Sequence, residues 1–395
     1  MLDNNSSAEY RAQIHMLNQE ICELNLQLSE KEAQLQRCSM IDKQDPFANP
    51  TEYPGYNGDY SDIVPQISIP GCRIPVEPHR GEKKRLRRFY SIGGSCVAFH
   101  FAFINLVAAG LIGLVMVILQ FMNPSVSYEA LYQYAYGSSI LIAMNTIAYL
   151  IANVLFAYIG IRWSKVGGAS LIRTRDFSAG KAVQYCLIGV FIQYGAALLS
   201  TIADNVLQKY GIDSIVDSSG LGTTVPAIII STIYACIIAP ITEELFYRGM
   251  LLKVFSRANQ RFAIFASAFI FGLAHGNIPQ FILAFILGTF LAHISIKHNS
   301  LLPSVLVHMF VNLSATLLNL VTTHFGESFL AVGLAGIFYI LIAVAGLVMF
   351  VFFVLKNKIP KTTPQQSRRG FTVAKTSIPF IVSVVLLVGT MLLNM

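Results

Sequence analysis

The chain has 395 residues, of which 54% are hydrophobic and only 12% are charged. Soluble globular proteins carry about 25% charged residues, so this composition excludes an ordinary soluble domain and predicts a polytopic membrane protein. The net charge of +7 does not indicate nucleic-acid binding. The basic residues lie mainly between apolar runs, where they determine membrane orientation.

Residues 1–40 contain a heptad pattern. Apolar side chains recur in alternating steps of four and three, and Lys31 fills the one polar position of the pattern. The apolar positions are Tyr10, Ile14, Leu17, Ile21, Leu24, Leu28, Leu35 and Cys38. This spacing predicts a cytoplasmic coiled coil, through which the chain would form a homo-oligomer or bind a partner protein. The alternative is a single amphipathic helix that lies against the membrane or the main domain.

Residues 41–90 are predicted to form a linker that ends in a basic juxtamembrane block. Residues 41–80 are rich in Pro, Gly, Tyr and Asp and show no periodicity. The block directly precedes the first apolar run, a position typical of a cytoplasmic anchor that favours anionic lipid. Its basic residues are Arg80, Lys83, Lys84, Arg85, Arg87 and Arg88.

Residues 91–395 are predicted to form the transmembrane domain, an all-α bundle of eight or nine apolar segments. The apolar runs are 95–121, 137–161, 182–203, 225–247, 262–275, 279–296, 301–322, 329–355 and 377–394. Loops rich in Lys and Arg alternate with loops in which Lys209 is the only Lys or Arg. The positive-inside rule therefore places the N-terminus in the cytoplasm. We expect the plasma membrane of a bacterium, with an endoplasmic reticulum membrane as the alternative. The sequence leaves open whether the final run crosses the membrane completely.

The run from Phe262 to His275 is too short for a complete crossing. It has about 14 residues, whereas a transmembrane helix needs about 20. We therefore predict a half-length helix that forms a re-entrant hairpin with the next run. The tip of this hairpin, residues 274–279, would be buried within the protein, where irregular backbone is tolerated.

Glu243 and Glu244 lie at the end of the fourth run, with Arg248 one helical turn further on. Glu244 and Arg248 are four residues apart, so they share a helix face and are predicted to form an ion pair. Glu243 points away from that partner and stays freer to titrate. Acid–base catalysis uses such a division between two carboxylates. The alternative is a charge cluster at a helix end, with no catalytic role.

Two histidines and an asparagine lie in later apolar runs. His275 follows Phe271 by four residues, and His308 and Asn312 share one helix face. A single polar side chain in such a run is often a hydrogen-bonded link between helices. Together with the acidic pair, these residues on three separate runs predict convergence on one cavity. The polar residues of the first two spans are interpreted as helix–helix hydrogen-bonding groups: His100, Asn105, Asn145 and Asn153.

The three motifs resemble those of one family. The set Glu243-Glu244-x-x-x-Arg248, Phe271-x-x-x-His275 and His308-x-x-x-Asn312 is similar to the CPBP family. These are the CAAX protease and bacteriocin-processing intramembrane endopeptidases, also called the Abi or type II CAAX prenyl endopeptidase family. The resemblance covers about residues 180–325 and omits the predicted coiled coil, the linker and the final apolar run.

The resemblance implies an intramembrane protease that hydrolyses a peptide bond in a membrane-anchored, in some relatives prenylated, substrate. By this analogy Glu243 activates water beside His275, and His308 and Asn312 stabilise the oxyanion. Glu244, Arg248 and Phe271 would support the site.

The sequence does not determine whether the protein binds a metal ion. No His-Glu-x-x-His motif is present, but Glu243, His275 and His308 are candidate zinc ligands. The metal-free route is favoured slightly, because Asn312 suits an oxyanion donor better than a zinc ligand. Two other functions remain as alternatives: a non-catalytic family member that acts as an immunity factor or scaffold through the coiled coil, and a proton-coupled transporter.

Overall fold

A computed structural model describes residues 4–44, 78–136, 139–165, 177–212, 224–356 and 372–394. Over these ranges the protein is all-α. In chain order the helices are α1 (Asn4–Gln44), α2 (Pro78–Met122), α3 (Tyr128–Tyr136), α4 (Ser139–Ser164), α5 (Ala179–Lys209), α6 (Val225–Ser256), α7 (Gln260–Leu273), α8 (Ile278–His298), α9 (Leu302–His324), α10 (Phe329–Lys356) and α11 (Ile378–Leu393).

Short polar side chains and prolines determine where several of these helices begin. In each case the capping oxygen accepts a hydrogen bond from a backbone N–H three residues later, which satisfies a donor that the first turn leaves unpaired. The capping residues are Ser178, Thr224, Asn259, Asn277 and Ser377. Prolines in the first turns of α6, α8, α9 and α11 add a preset backbone φ angle.

Seven helices in the described part of the chain are long and apolar enough to cross a membrane: α2 from Leu86 onward, α4, α5, α6, α8, α9 and α10. The shorter apolar helices are α7 and α11. Each predicted apolar run is therefore helical over most of its described residues, which confirms the all-α membrane bundle. One helix was not predicted: α3 lies in a region interpreted as a loop. Its Leu131 and Ala135 lie one turn apart and pack against Met116 of α2, so burial of one face stabilises this short helix.

The N-terminal heptad region is helical, as α1. Ile14, Leu17 and Ile21 of the heptad pattern are all more than half exposed in the single chain. Pairing of α1 into a coiled coil stays a prediction. Most of the linker lies outside the described residues, but the basic block lies within α2, which begins at Pro78 and continues into the first span.

Helices α7 and α8 form a hairpin. The 14 residues of α7 rise about 21 Å, less than the roughly 30 Å of a bilayer core, as predicted for a half-length helix. Gly276 adopts φ +71° in the connection, a conformation that L side chains rarely adopt. Gly276 and Asn277 are buried, but Ala274 and His275 are exposed. The tip is thus only partly enclosed by protein, because one side of it borders an open cavity.

The protein core is centred on α6. All residues from Phe246 to Ser256 are buried. One apolar cluster packs this segment against α2, α7, α8 and α11, and a second cluster joins α5, α8, α9 and α10. The acidic pair therefore lies directly before the buried C-terminal part of α6.

Candidate active site

The acidic pair lies between two π-helical turns of α6. The segment Tyr234–Ile238 is π-helical, Ala239–Glu244 is α-helical, and Leu245–Leu252 is π-helical again. Pro240 gives a physical reason for the first of these turns, because proline has no N–H and its ring crowds the carbonyl one turn earlier. Such π-turns are frequent at functional sites.

The first π-turn leaves one backbone carbonyl without a helical partner, and Asn312 satisfies it. The Ala239 N–H donates to the Tyr234 carbonyl, and Pro240 has no N–H with which to pair the Ala235 carbonyl. Asn312 Nδ2 donates to that carbonyl at 2.8 Å. In a membrane helix, a neighbouring side chain commonly replaces the bond that a proline removes. The structure thus gives Asn312 a bracing contact that its sequence motif did not indicate.

Glu244, Arg248 and His308 form a buried cluster next to Glu243. Arg248 Nη1 donates to Glu244 Oε1 at 2.6 Å, and both side chains are fully buried. This confirms the ion pair predicted from their four-residue spacing. His308 Nδ1 lies 3.0 Å from the same Glu244 oxygen. A carboxylate only accepts hydrogen bonds, so His308 carries its proton on Nδ1 in this contact.

Arg248 also joins α6 to the α7–α8 hairpin. Its Nη2 donates to the Gly288 carbonyl of α8 at 3.2 Å, and its guanidinium lies 4.4 Å above the centroid of the Phe271 ring. A β-carbon at Gly288 would lie 3.0 Å from Arg248 Nη2, so glycine is what allows this close approach. Phe271, predicted as a supporting residue, stacks on the cluster from α7.

Glu243 has a different environment from that of Glu244. Its side chain is 22% exposed, and it lines a cavity of about 410 Å³. That volume lies in the range of small-molecule and peptide-binding pockets. The polar lining residues are His100, Asn105, Tyr149, Asn153, Glu243, Tyr247, His275, Gln280, Thr390 and Asn394. One carboxylate is thus locked in a buried ion pair and the other faces an open cavity.

His275 lines the same cavity from the tip of the α7–α8 hairpin. Its Nδ1 lies 2.9 Å from the Phe271 carbonyl oxygen, which can only accept, so Nδ1 donates. In the neutral ring this leaves Nε2 as an acceptor. His275 can therefore accept a proton on the nitrogen that is not committed to the backbone.

The predicted site residues come together only in part. His308 Nε2 lies 3.9 Å from Glu243 Oε2, so His308 stands between the two carboxylates. Glu243, His275 and Phe271 line the cavity directly, whereas His308 and Asn312 lie behind its surface. The fully enclosed members are Glu244 and Arg248.

A second hydrogen-bonded chain, which the motifs did not include, reaches the residue next to Glu243. His100 Nε2 lies 2.8 Å from Asn153 Oδ1, and Asn153 Nδ2 donates to Thr242 Oγ1 at 3.1 Å. The first contact confirms the predicted helix–helix hydrogen bond between the first two spans. His100 and Asn153 also line the cavity. Two polar side chains on separate spans were the available signal, but only the structure places them beside the acidic pair.

The metal hypothesis was tested on the arrangement of the side chains. Among the described residues, no group of three or more His, Cys, Asp or Glu side chains could hold a metal ion. Glu243, His275 and His308 therefore do not form a zinc-binding set in this conformation.

The helices and this site define a class: an integral membrane protein with a carboxylate and an imidazole facing a cavity beside a buried ion pair. Comparison with family models makes the class more specific. Residues 225–314 match the model described as "Type II CAAX prenyl endopeptidase Rce1-like". The match confirms the resemblance to the CPBP family over the segment that contains the three motifs, and the family is one of membrane endopeptidases. Comparison with curated proteins and with solved structures gave no match.

Proposed function

We propose that this protein is an intramembrane endopeptidase that hydrolyses a peptide bond in a membrane-anchored protein or peptide. The observation that carries the proposal is the unequal environment of the acidic pair within the matched segment. Glu244 is fully buried against Arg248 and His308, and Glu243 faces the cavity shared with His275. Acid–base chemistry needs one carboxylate that can exchange a proton, held by a rigid support.

In the proposed first step, the Glu243 carboxylate takes a proton from a water molecule while the water oxygen attacks the scissile carbonyl carbon. The π electrons of the carbonyl move to its oxygen and form a tetrahedral oxyanion. When the intermediate collapses, the carbon–nitrogen bond breaks and the leaving nitrogen takes the proton from Glu243. His275 holds the attacking water through Nε2, since its Nδ1 is committed to the Phe271 carbonyl.

The oxyanion is assigned to His308 and Asn312, following the family resemblance. Because both residues lie behind the cavity surface, this role requires the scissile carbonyl to bind beside Glu243, whose Oε2 lies 3.9 Å from His308 Nε2. When His308 carries both ring protons, Nδ1–H donates to Glu244 and Nε2–H is directed toward the side of the cluster where Glu243 lies. Asn312 has two amide hydrogens, of which the Ala235 carbonyl takes one. The oxyanion role would use the second. Donors fixed in advance stabilise developing charge without reorganisation, and this is often the largest catalytic contribution.

The cavity also suits a substrate with a lipid anchor. One wall is an apolar face of α2, formed by Val97, Phe101, Ile104 and Ala108 at helical spacing. The lining also contains the ionisable groups Glu243 and His275. A peptide attached to a prenyl chain, as in a CAAX-type substrate, presents the same combination of an apolar and a polar part.

The orientation is part of the proposal: α1 lies in the cytoplasm, and the membrane is the plasma membrane of a bacterium. Cys22 of α1 is exposed, so it provides a test. In intact cells that express the protein, a membrane-impermeant maleimide should leave Cys22 unlabelled until the cells are permeabilised. Labelling before permeabilisation would reverse the orientation.

The function is tested with purified protein in liposomes and a fluorogenic peptide ending in a farnesylated CAAX sequence. E243Q should lower kcat at least about 100-fold, the lower end of the range for general acid–base catalysis. E129Q is the matched control, since Glu129 is an exposed residue of α3 that contacts Gln133. Full activity in E243Q, with protein that remains folded, would disprove the proposal. Activity before and after treatment with EDTA separates the metal-free route from a metal-dependent one.

A further inference from the structure

The turn that carries His275 is held by a residue far away in the sequence. Within the turn, the His275 and Gly276 N–H groups donate to Gly272 and Leu273 carbonyls at 3.1 Å. The carbonyl of Gly276 faces the other way and accepts a hydrogen bond from Asn394 Nδ2 at 2.9 Å. These two residues are 118 positions apart. The backbone next to His275 is therefore fixed from α11 as well as from its own hairpin.

Helix α11 is itself docked firmly against the bundle. At its start, Ser377 Oγ lies 3.0 Å from Ser91 Oγ of α2. Phe380 packs on the rings of Tyr90, Phe255 and Phe262. A helix held at its first turns and buried along one face presents its last residues at a defined position.

The end of α11 forms part of the cavity wall. Leu387, Thr390 and Asn394 are three and four residues apart, and all three line the cavity with Glu243 and His275. They lie beyond the 225–314 segment that matches the family model. A segment outside the matched region thus contacts the turn that carries a proposed catalytic histidine.

Gly276 accepts the hydrogen bond from Asn394 in a conformation that favours glycine. Its φ of +71° aims the carbonyl toward Asn394, and a β-carbon at this position would lie 3.1 Å from Asn394 Nδ2. The glycine conformation and the asparagine amide therefore fit each other geometrically.

From these contacts we infer that Asn394 is a positioning residue for His275, acting through the Gly276 carbonyl. The inference rests on the proposed function, because it assigns His275 a role in catalysis. The hydrogen bond restricts the turn, so His275 keeps its ring in the cavity with Nδ1 on the Phe271 carbonyl. Without the bond the turn samples other conformations, and the fraction of molecules with a correctly placed ring falls.

The test compares N394A and N394D with N123D in the full-length protein in liposomes, using the farnesylated peptide. Asp has nearly the shape of Asn but no amide donor. N123D makes the same chemical change outside the cavity, because Asn123 is exposed at the end of α2 and its amide donates to the Leu119 carbonyl of that helix. We expect kcat to fall about threefold to tenfold in N394A and N394D, as for loss of one hydrogen bond. KM should stay within about twofold of wild type, and N123D should match wild type.

Two results would overturn the inference. Wild-type kcat in N394D would show that the donor is not needed. A raised KM with unchanged kcat would make Asn394 a substrate-binding residue instead. If N394A does not fold, N394D alone carries the comparison.

A second measurement does not depend on activity. Hydrogen exchange of residues 274–277 should rise about threefold to tenfold in N394D and remain unchanged in N123D. If the wild type cleaves no more than E243Q, the proposed function fails, and the exchange data still decide whether Asn394 holds the turn. Equal exchange in N394D and wild type would disprove the positioning contact itself.

Discussion

Replacement of Arg248 by alanine should destabilise the protein more than almost any other single substitution. The guanidinium is fully buried and makes three contacts: the ion pair with Glu244, the hydrogen bond to the Gly288 carbonyl and the stack on Phe271. R248A removes all three and leaves the Glu244 carboxylate buried beside His308 without its cation.

The magnitude follows from the burial of the pair. Breaking a buried ion pair by removing one partner costs about 3–5 kcal/mol, because an uncompensated charge stays inside the protein. R248K keeps the charge but cannot make all three contacts at once, so it should cost about 1–2 kcal/mol. The double variant E244L/R248M removes both charges, and such replacements are often close to neutral. It also leaves the buried His308 Nδ1–H without its Glu244 acceptor, so its free energy of unfolding should lie about 1–3 kcal/mol below wild type and above that of R248A.

Stability can be measured through the reactivity of two buried thiols. Cys96 and Cys236 are buried, so a thiol-reactive dye reports their exposure on unfolding. The background variant replaces Cys22, Cys38, Cys72 and the half-buried Cys186 by serine, which leaves Cys96 and Cys236 as its thiols. Unfolding is followed by titration with sodium dodecyl sulfate in mixed micelles. An R248A variant within about 0.5 kcal/mol of the background, or a double variant less stable than R248A, would refute the assignment of the ion pair.

Two further predictions use matched pairs of variants. G288A should destabilise the protein by about 1–3 kcal/mol, because the new methyl group crowds Arg248. G333A is the matched control and should be neutral or slightly stabilising, because a β-carbon at Gly333 meets open space. Equal effects of the two variants in the same thiol assay would contradict the proposed close approach of Arg248 to Gly288. N312A should cost about 1–2 kcal/mol, because it leaves the half-buried Ala235 carbonyl unpaired. The cost should be smaller in a P240A background, which restores an N–H to the helix, and additive effects in the double-variant cycle would contradict this explanation.

Local patterns in the sequence predicted those parts of the fold and site that depend on local chemistry. Long apolar runs predicted the membrane helices because a spanning segment must satisfy its own backbone. The four-residue spacing of Glu244 and Arg248 predicted their ion pair, since side chains one turn apart meet on a helix. The length of the fifth run predicted the half-length α7.

The parts that were missed depend on contacts between distant segments or on backbone atoms. No residue type signals that the Ala235 carbonyl lacks a partner, so the link to Asn312 emerges only from the π-turn and Pro240. Asn394 is 118 residues from Gly276, and one asparagine at the end of an apolar run predicts nothing about its partner.

The proposed reactive groups and most of the other cavity-lining residues lie in different parts of the chain. The ionisable groups of the proposed mechanism lie on α6, on α9 and in the turn between α7 and α8, within the segment 225–314 that matches the family model. The rest of the cavity wall comes largely from α2, α4 and α11, outside that segment. Motifs in a sequence therefore locate the groups that would react, because those groups need fixed spacing on a few helices. The wall that receives the substrate needs only complementary volume and polarity, which many side chains can supply, so it leaves no comparable signature and becomes visible only when the helices are packed together.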